Sequence, residues 1–356
     1  MSTPLSATYA GKRVFVTGHT GFKGSWLTSW LLQLGAEVCG FSLTQPISAP
    51  DLFGILGLTN HCSDIRGDIR DRAALAQALT KAQPDIVFHL AGQALVRRAY
   101  REPLATFETN AQGTANLLEC ARAHPKIKAI VLATSDKVYR NSSGGQAFKE
   151  TAALGGDDPY SDSKAAAEMA VAAYRVFSDL PPTVTVRAGN VIGGGDWNED
   201  RLLPDIVRAL SAGQDVAVRN PLMVRPWQHV IDCLYGYLNV GQALIAEPEG
   251  VAASYNIGPN AEKLLCVGDI ADLSISAWGQ GKWIDTHHLE SDAPIEASYL
   301  ALDCSAIRND LGWRPVYGYE AAITETIRWY RAHYSGDSVE HLLAEQIADF
   351  MAAANA

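Results

Sequence analysis

The sequence predicts an α/β chain: a Rossmann-like, doubly wound parallel sheet followed by a smaller, mixed C-terminal lobe for the substrate. Short apolar, β-branched runs alternate with helical-period segments over about the first 190 residues, the rhythm of strand–helix–strand units. The first such run opens straight into Gly18-His19-Thr20-Gly21-Phe22-Lys23-Gly24, a GxxGxxG run at a strand-to-helix junction. With 356 residues, 47% apolar and 19% charged, the chain is long enough to bury a large core.

The elements follow in order. Residues 1–10 are small and polar and read as a frayed tail. Residues 12–18 form the first strand, with Val14, Phe15 and Val16 between a charged start and a glycine. In 25–34, Trp26, Leu27, Trp30, Leu31 and Leu34 recur at helical spacing. A second strand lies at 37–41, a short helix at 73–79, and a buried strand at 84–90 with Ile86, Val87, Phe88 and Leu90. A long helix spans 103–123, an apolar strand 127–133, an Ala-rich helix 160–177 and a β-branched strand 183–187. After Gly189 the rhythm breaks. Glycine, proline and tryptophan cluster in 193–197 and 220–227, and longer loops follow near 254–259 and 291–299. This divides the chain into a dinucleotide-binding domain at 1–188, rejoined by segments near 230–255, and a substrate lobe at 189–356.

A net charge of −10 argues against nucleic acid or an anionic membrane as partner, so an anionic substrate needs a local cluster of cations. Cys39, Cys62, Cys120, Cys233, Cys266 and Cys304 are scattered, without CxxC or zinc spacing. They read as reduced thiols in a cytoplasmic protein that holds no metal. No basic-then-apolar leader opens the chain, and no run approaches the ~18 apolar residues of a membrane span. The Asn141-Ser142-Ser143 sequon then carries no glycan.

In the glycine run, Gly18 permits the tight turn, Gly21 a close approach to a pyrophosphate, and Gly24 close helix–strand packing. His19, Thr20, Phe22 and Lys23 complete that loop. The ribose-binding carboxylate expected at the end of the second strand is missing; Phe41-Ser42-Leu43 stands there. No arginine replaces it, which favours NAD over NADP. Asp68-Ile69 falls at a strand end, to cover the adenine or, for Asp68, to cap a helix. Leu90-Ala91-Gly92 closes the strand beneath the cofactor or is a plain turn.

Tyr160 and Lys164, four apart at the start of a helix, share one face. A tyrosine takes a proton from a sugar hydroxyl near neutral pH only where cations stabilise its ionised form, and Lys164 is such a cation. Ser135, at the end of an apolar strand, suits a hydrogen bond to the oxygen being oxidised, and Asp136 and Lys137 add an acid and a potential base. A simple dehydrogenase or epimerase has no need of that extra pair; an ion pair capping the strand is the other reading.

GHTGFKGSW (18–26), TSDKVY (134–139), DPYSDSKAAAE (158–168), RAGNVIGGGDW (187–197), EDRLLPD (199–205) and RNPLMVRPWQHV (219–230) resemble the extended short-chain dehydrogenase/reductase family, in its nucleotide-sugar 4,6-dehydratase branch and most of all its CDP-glucose members. The resemblance covers nearly the whole chain. It implies an NAD-dependent, redox-neutral loss of water from CDP-glucose in deoxysugar synthesis for surface polysaccharide. Tyr160 takes the C4 hydroxyl proton, Ser135 orients that oxygen, Asp136 protonates the departing C6 hydroxyl and Lys137 removes the C5 proton. The dTDP-glucose relatives carry Thr-Asp-Glu here, so Lys137 is a departure from them. A lysine base must first lose its own proton; as a cation Lys137 would instead steady the enolate.

The same resemblance places Asn110 near the substrate, and Asn190, Arg201, Arg219, Arg225 and His229 at its diphosphate, where an arginine fork suits two oxygens at once. A surface salt bridge for any one arginine, a packed role for His229 and a buried helix position for Asn110 are the plainer readings. Trp197 and Trp227 line the pocket or join the core. Helices 103–123 and 160–177, small on one face, match a pair that relatives bury in a four-helix homodimer interface. A UDP-N-acetylhexosamine dehydratase and a 4-epimerase are the rival enzymes. A non-catalytic NAD sensor is the rival of another kind, and it predicts loss of Tyr160, Lys164 or Asp136, all of which are present.

Overall fold

A computed structural model describes residues 4–45, 49–141, 145–260, 264–286 and 297–355. At its centre is a seven-stranded, wholly parallel sheet. Its strands are β1 (Arg13–Thr17), β2 (Glu37–Ser42), β3 (Ser63–Arg66), β4 (Ile86–His89), β5 (Ala129–Ala133), β6 (Thr183–Ala188) and β7 (Ser254–Ile257), in the order β7-β6-β5-β4-β1-β2-β3. The chain winds outward from β1 in both directions, so β1 and β4 part at the sheet's switch point, where such sheets bind ligands beyond the strand ends. The register pairs Val14 with Val38 on one side and with Ile86 on the other, and β4 and β5 are buried along their whole length. Continuous apolar runs suit strands covered on both faces.

One face packs the helices Phe22–Gln33, Val230–Ala246, Tyr319–Ser335 and Val339–Ala354 around Trp26, Trp30, Tyr237, Trp329 and Phe350. The other packs Arg72–Ala82 and Gly113–Arg122 against Phe15, Val87 and Ile130. Beyond the sheet lie two short parallel pairs, Val191–Ile192 with Gln228–His229 and Val216–Val218 with Trp283–Asp285, and the helix Leu202–Ser211. Among the described residues no helix is long and apolar enough to cross a membrane.

The doubly wound α/β reading holds, with local corrections. Leu5–Tyr9 is a helix rather than a frayed tail: Leu5 and Tyr9 are buried, and the Tyr9 hydroxyl donates to the Leu238 carbonyl at 2.7 Å. β3 escaped prediction because Ser63-Asp64-Ile65-Arg66 has one apolar residue and shows no alternation. The 103–123 helix is three pieces: Pro103–Phe107, a π turn at Glu108–Gln112 and Gly113–Arg122. The 160–177 helix runs Pro159–Tyr174, because Asp158 caps it by accepting from the Tyr160 and Ser161 amides. Residues 142–143 of the sequon and 291–296 of the predicted loop lie outside the described residues.

Candidate active site

The site begins at the turn after β1. Gly18 adopts φ +75°, and a Cβ there would stand 2.7 Å from the Ala91 nitrogen, so the turn lies directly against the end of β4. A Cβ on Gly24 would fall 2.0 Å from the Gly18 carbonyl oxygen, whereas at Gly21 the nearest atom is 3.4 Å away. Gly21 caps the Phe22–Gln33 helix without a side-chain bond, and its first turn holds no acid. These are the features of a cradle for a pyrophosphate: uncapped amides, a positive helix end and backbone with room above it. Ala substitution separates the roles of the glycines. Gly24→Ala should cost about 1–3 kcal/mol of stability. Gly21→Ala should leave the denaturation midpoint in place while dinucleotide affinity falls in calorimetry.

The loop's other side chains take different places. Thr20, Phe22 and Lys23 are half-buried at the cradle. His19 is spent within the protein: its Nε2 lies 2.9 Å from Asp64 Oδ1, its ring stands edge-on to Phe53, and burial lowers its pKa. Ser42 ends β2 in a buried position, and its carbonyl accepts from Gly67. Asp68 is not a helix cap; Asp71 caps Arg72–Ala82 by accepting from the Ala74 amide. Asp68 is instead gripped by the Arg70 guanidinium, which holds its carboxyl below the usual range. Ile69 packs in the core beneath Gly113.

β4 ends in His89, whose ring nitrogens lie 2.7 Å from the Thr17 hydroxyl and 3.3 Å from that of Thr114. Burial pushes its pKa down to about 3, so it is neutral. Leu90-Ala91-Gly92 then carries the chain past the Pro159–Tyr174 helix, and a Cβ on Gly92 would be 2.9 Å from Lys164 Nζ. Asn110 is not free to meet a substrate. It sits in the π turn, donates to the Gln93 carbonyl and the Ser163 hydroxyl, and accepts from the Gln93 amide at 2.8 Å. It clamps the loop after β4 to the catalytic helix.

Tyr160 and Lys164 emerge from the buried face of that helix. Lys164 Nζ reaches the Ala133 carbonyl at 3.5 Å, and burial together with the charge of Lys23 lowers its pKa to about 8. Burial raises the Tyr160 hydroxyl, opposed by a hydrogen bond with Ser135 and the charge of Arg201. β5 delivers the rest. Ser135 is extended and donates to Asp136 Oδ1 at 3.1 Å while its oxygen accepts from the Lys137 amide. Asp136 is buried, its Oδ2 has no hydrogen-bond partner, and desolvation raises its pKa against the pull of Lys137, Arg225 and Arg201. Lys137 is half-buried beside it. The strand end thus brings a hydroxyl and a carboxyl raised by burial to one tyrosine, with Lys137 beside that carboxyl.

The sequence reading missed what braces this turn. Glu168, one helical turn beyond Lys164, is buried and pairs with Arg187 of β6 through two bonds of 2.8–2.9 Å. It also accepts from the Thr134 and Thr185 hydroxyls. Arg187 donates to the Tyr139 hydroxyl, which donates to Asn256 of β7. Thr134 and Tyr139, which flank Ser135-Asp136-Lys137, are therefore both tied to β6. An acid on the buried side of an Ala-rich helix was the available signal.

The predicted diphosphate ligands divide. Arg201 and Arg225 send their fields to Asp136; Arg201 donates to the Ala94 carbonyl, and Arg225 is buried. Arg219 is paired with Asp200 at 2.8 Å and Asp205 at 3.8 Å. Asn190 is half-buried just past β6, its carbonyl accepting from Gln228. His229 is a core residue, not a ligand: it is 1% exposed, caps the Val230–Ala246 helix from Nδ1, packs against Trp26 and Tyr317, and burial lowers its pKa to about 3. Trp197 and Trp227 belong to the core cluster. Two hollows of about 540 and 490 Å³, one lined by Asp269, Asp272 and Tyr319 and the other by Trp278, Arg331 and Tyr334, contain none of these groups.

Residues 15–326 match the family described as GDP-mannose 4,6 dehydratase. The chain is 42% identical over 357 aligned residues to the CDP-glucose 4,6-dehydratase of Salmonella typhimurium, covering 97% of this chain and 98% of that one. Among solved structures it resembles the dTDP-glucose 4,6-dehydratase of Streptomyces venezuelae with NAD bound, at a TM-score of 0.75 and 25% identity over 91% of this chain and 98% of that one. It also resembles the UDP-glucose 4-epimerase of Thermus thermophilus in complex with NAD, at a TM-score of 0.77 and 25% identity over 90% and 99%.

Proposed function

The chain belongs to the GDP-mannose 4,6 dehydratase family, and on that premise we propose that it converts CDP-D-glucose to CDP-4-dehydro-6-deoxy-D-glucose and water. The observation that carries this reading is Asp136: a buried carboxyl, raised toward its neutral form, with one oxygen unpartnered and hydrogen-bonded through Ser135 to the catalytic tyrosine. An oxidation alone needs a base, whereas an elimination needs an acid beside it.

NAD fits the cradle formed by Gly18, Gly21 and the open first turn of the Phe22–Gln33 helix. When bound, it supplies reversible hydride acceptance, so the net reaction is a lyase's. Tyr160 takes the C4 hydroxyl proton while Ser135 holds that oxygen. Lys164 orients the tyrosine and the nicotinamide ribose. Lys137 removes the C5 proton, now acidified by the C4 carbonyl, and Asp136 protonates the C6 hydroxyl as water departs. Lys137 returns its proton to C5 as C6 is reduced, which leaves one proton in excess on Tyr160 and one missing from Asp136. Ser135, bonded to both, is the path that restores them. Arg201 and Arg225 face the diphosphate from the substrate lobe, and Asn110 acts as a clamp.

Residues 1–188, rejoined by segments near 230–255, make the cofactor domain, and 189–356 is mainly the lobe for the nucleotide sugar. The exposed Leu104, Phe107 and Met169, on the helices beside the catalytic face, are the surface of a homodimer in the cytoplasm.

The test is incubation with catalytic NAD⁺ and CDP-, dTDP-, GDP- or UDP-glucose, followed by detection of a 4-keto-6-deoxy sugar. Turnover of another nucleotide without CDP-glucose would sink the substrate assignment. In Lys137→Ala, exchange of the C5 hydrogen with solvent deuterium should stop; exchange at the parent rate removes Lys137 as the base.

A further inference from the structure

Arg219 has the fork that suits a phosphate, yet a carboxylate of the protein itself engages it. Its Nη1 donates to Asp200 Oδ1 at 2.8 Å. The same oxygen lies 3.7 Å from Arg97 Nη1. Arg219 follows the Val216–Val218 strand, and Arg97 stands on the Val96–Arg101 helix that follows β4. One carboxylate oxygen therefore faces two guanidiniums from distant parts of the chain. Arg97, Asp200 and Arg219 have side chains 33, 28 and 29% exposed, open enough for a ligand to reach.

The cluster lies on the rim of the catalytic site. Asp200 precedes Arg201, whose Nη2 donates to the Ala94 carbonyl at 2.8 Å, two residues beyond the Gly92 that lies against Lys164. Arg201 is also close enough for its charge to act on Tyr160 and Asp136. Asp200 itself adopts φ +57° at the turn before the Leu202–Ser211 helix, in the left-handed region where asparagine and aspartate are the commonest residues after glycine. Next to it, Glu199 meets Arg101 at 2.6 Å, but both side chains are more than half exposed, so that bridge contributes little.

We propose that Asp200 is an internal stand-in for the diphosphate of the substrate: in the empty site it holds Arg219 and Arg97, and an entering nucleoside diphosphate takes its place on them. The inference rests on the nucleotide-sugar reading of the site. Ion pairs are exchanged, and no covalent bond changes. A diphosphate offers the same kind of oxygen to the same guanidinium forks, with more charge. The carboxylate keeps both arginines aimed while the site is empty. It also lowers affinity for an entering anion, by the ion pairs lost where it leaves and by repulsion where it stays. Removing its charge therefore tightens binding. Arg219 would keep Asp205, whose Oδ2 lies 3.8 Å from its Nη2, as a counter-ion.

The experiment is calorimetric titration, with NAD present, by CDP, dTDP, GDP and UDP, and by cytidine as the ligand without phosphate. Asp200→Asn keeps the shape of the side chain and suits the left-handed turn. It should bind CDP about threefold to tenfold more tightly than the parent, the worth of one or two partly exposed ion pairs. Cytidine should show no such gain, and added KCl should shrink it, which a purely structural change would not do. Asp200→Gly, which relieves the turn as well, should show the same gain. In Asp200→Asn/Arg219→Gln the gain over Arg219→Gln should be smaller, because the arginine it releases is gone. Equal or weaker affinity for CDP in both Asp200 variants, or a gain that cytidine shares, overturns the proposal. Binding of another nucleoside diphosphate but not CDP overturns the CDP-glucose reading alone, and the same comparison is then decided on that nucleotide. Binding of none overturns the nucleotide-sugar reading and the proposal with it.

Discussion

Tyr160→Phe should fold as the parent does and lower the turnover of CDP-glucose by about 10²–10⁴-fold, the range for loss of a positioned general base. The substitution removes one oxygen and keeps the ring, so the packing of this nearly buried side chain survives. Ser135 keeps its bond to Asp136, and Asp158 keeps the helix cap through the amide of residue 160. The hydroxyl is costly to ionise where it stands, because burial opposes the charged form and only Ser135 and the Arg201 field oppose burial. Its chemistry therefore depends on the positive charge gathered around it. Single-turnover formation of the 4-keto sugar is the measurement, with binding of CDP-glucose as control. Turnover within tenfold of the parent, with affinity unchanged, would overturn the assignment of Tyr160 as the base.

Glu168→Leu should cost about 3–5 kcal/mol of stability, read as a fall in the denaturant midpoint. The carboxylate satisfies four donors at once: two from Arg187 and the hydroxyls of Thr134 and Thr185. Removing it leaves an arginine charge at 4% exposure without its counterion. The double variant Glu168→Leu/Arg187→Met removes both charges and should recover much of the loss, because a buried pair replaced by apolar groups of similar volume is often nearly neutral. Recovery of stability need not restore turnover. Thr134 and Tyr139 would both lose an anchor, and the turn that aims Ser135 and Asp136 with them. A single variant within 1 kcal/mol of the parent would show that the pair is not a structural brace.

The fold class was legible because its signals are local. Ile86-Val87-Phe88 and Ala129–Ala133 are apolar throughout, as strands covered on both faces must be, and the glycine run stands where the first strand meets its helix. Tyr160 and Lys164 stand out as candidates by their spacing after a glycine fingerprint, since helical geometry places residues four apart on one face. The site was less legible. Asp68 is the cap candidate on paper, whereas in the structure Asp71 caps the helix and Arg70 engages Asp68. His229 sits in a motif of arginines and polar residues, yet Trp26 and Tyr317, remote in the chain, enclose it. Asn110 reads on paper as a neighbour of the substrate or as a buried helix position, and in the structure Gln93 and Ser163 engage its amide.

By itself the sequence determined the alternation of strands and helices and the dinucleotide turn, and it put forward Tyr160 and Lys164, with an acid beside them, as the candidate catalytic groups. These follow from side-chain period, backbone freedom at glycine and motif spacing, all of which act over a few residues. The tertiary structure alone decided the charge environment: a carboxyl at Asp136 raised by desolvation, a lysine at 164 lowered to about 8 by burial and the charge of Lys23, and a buried pair of Glu168 and Arg187 that holds the turn. Those depend on desolvation and on neighbours far apart in the chain, and a charge is set by what surrounds it rather than by what precedes it.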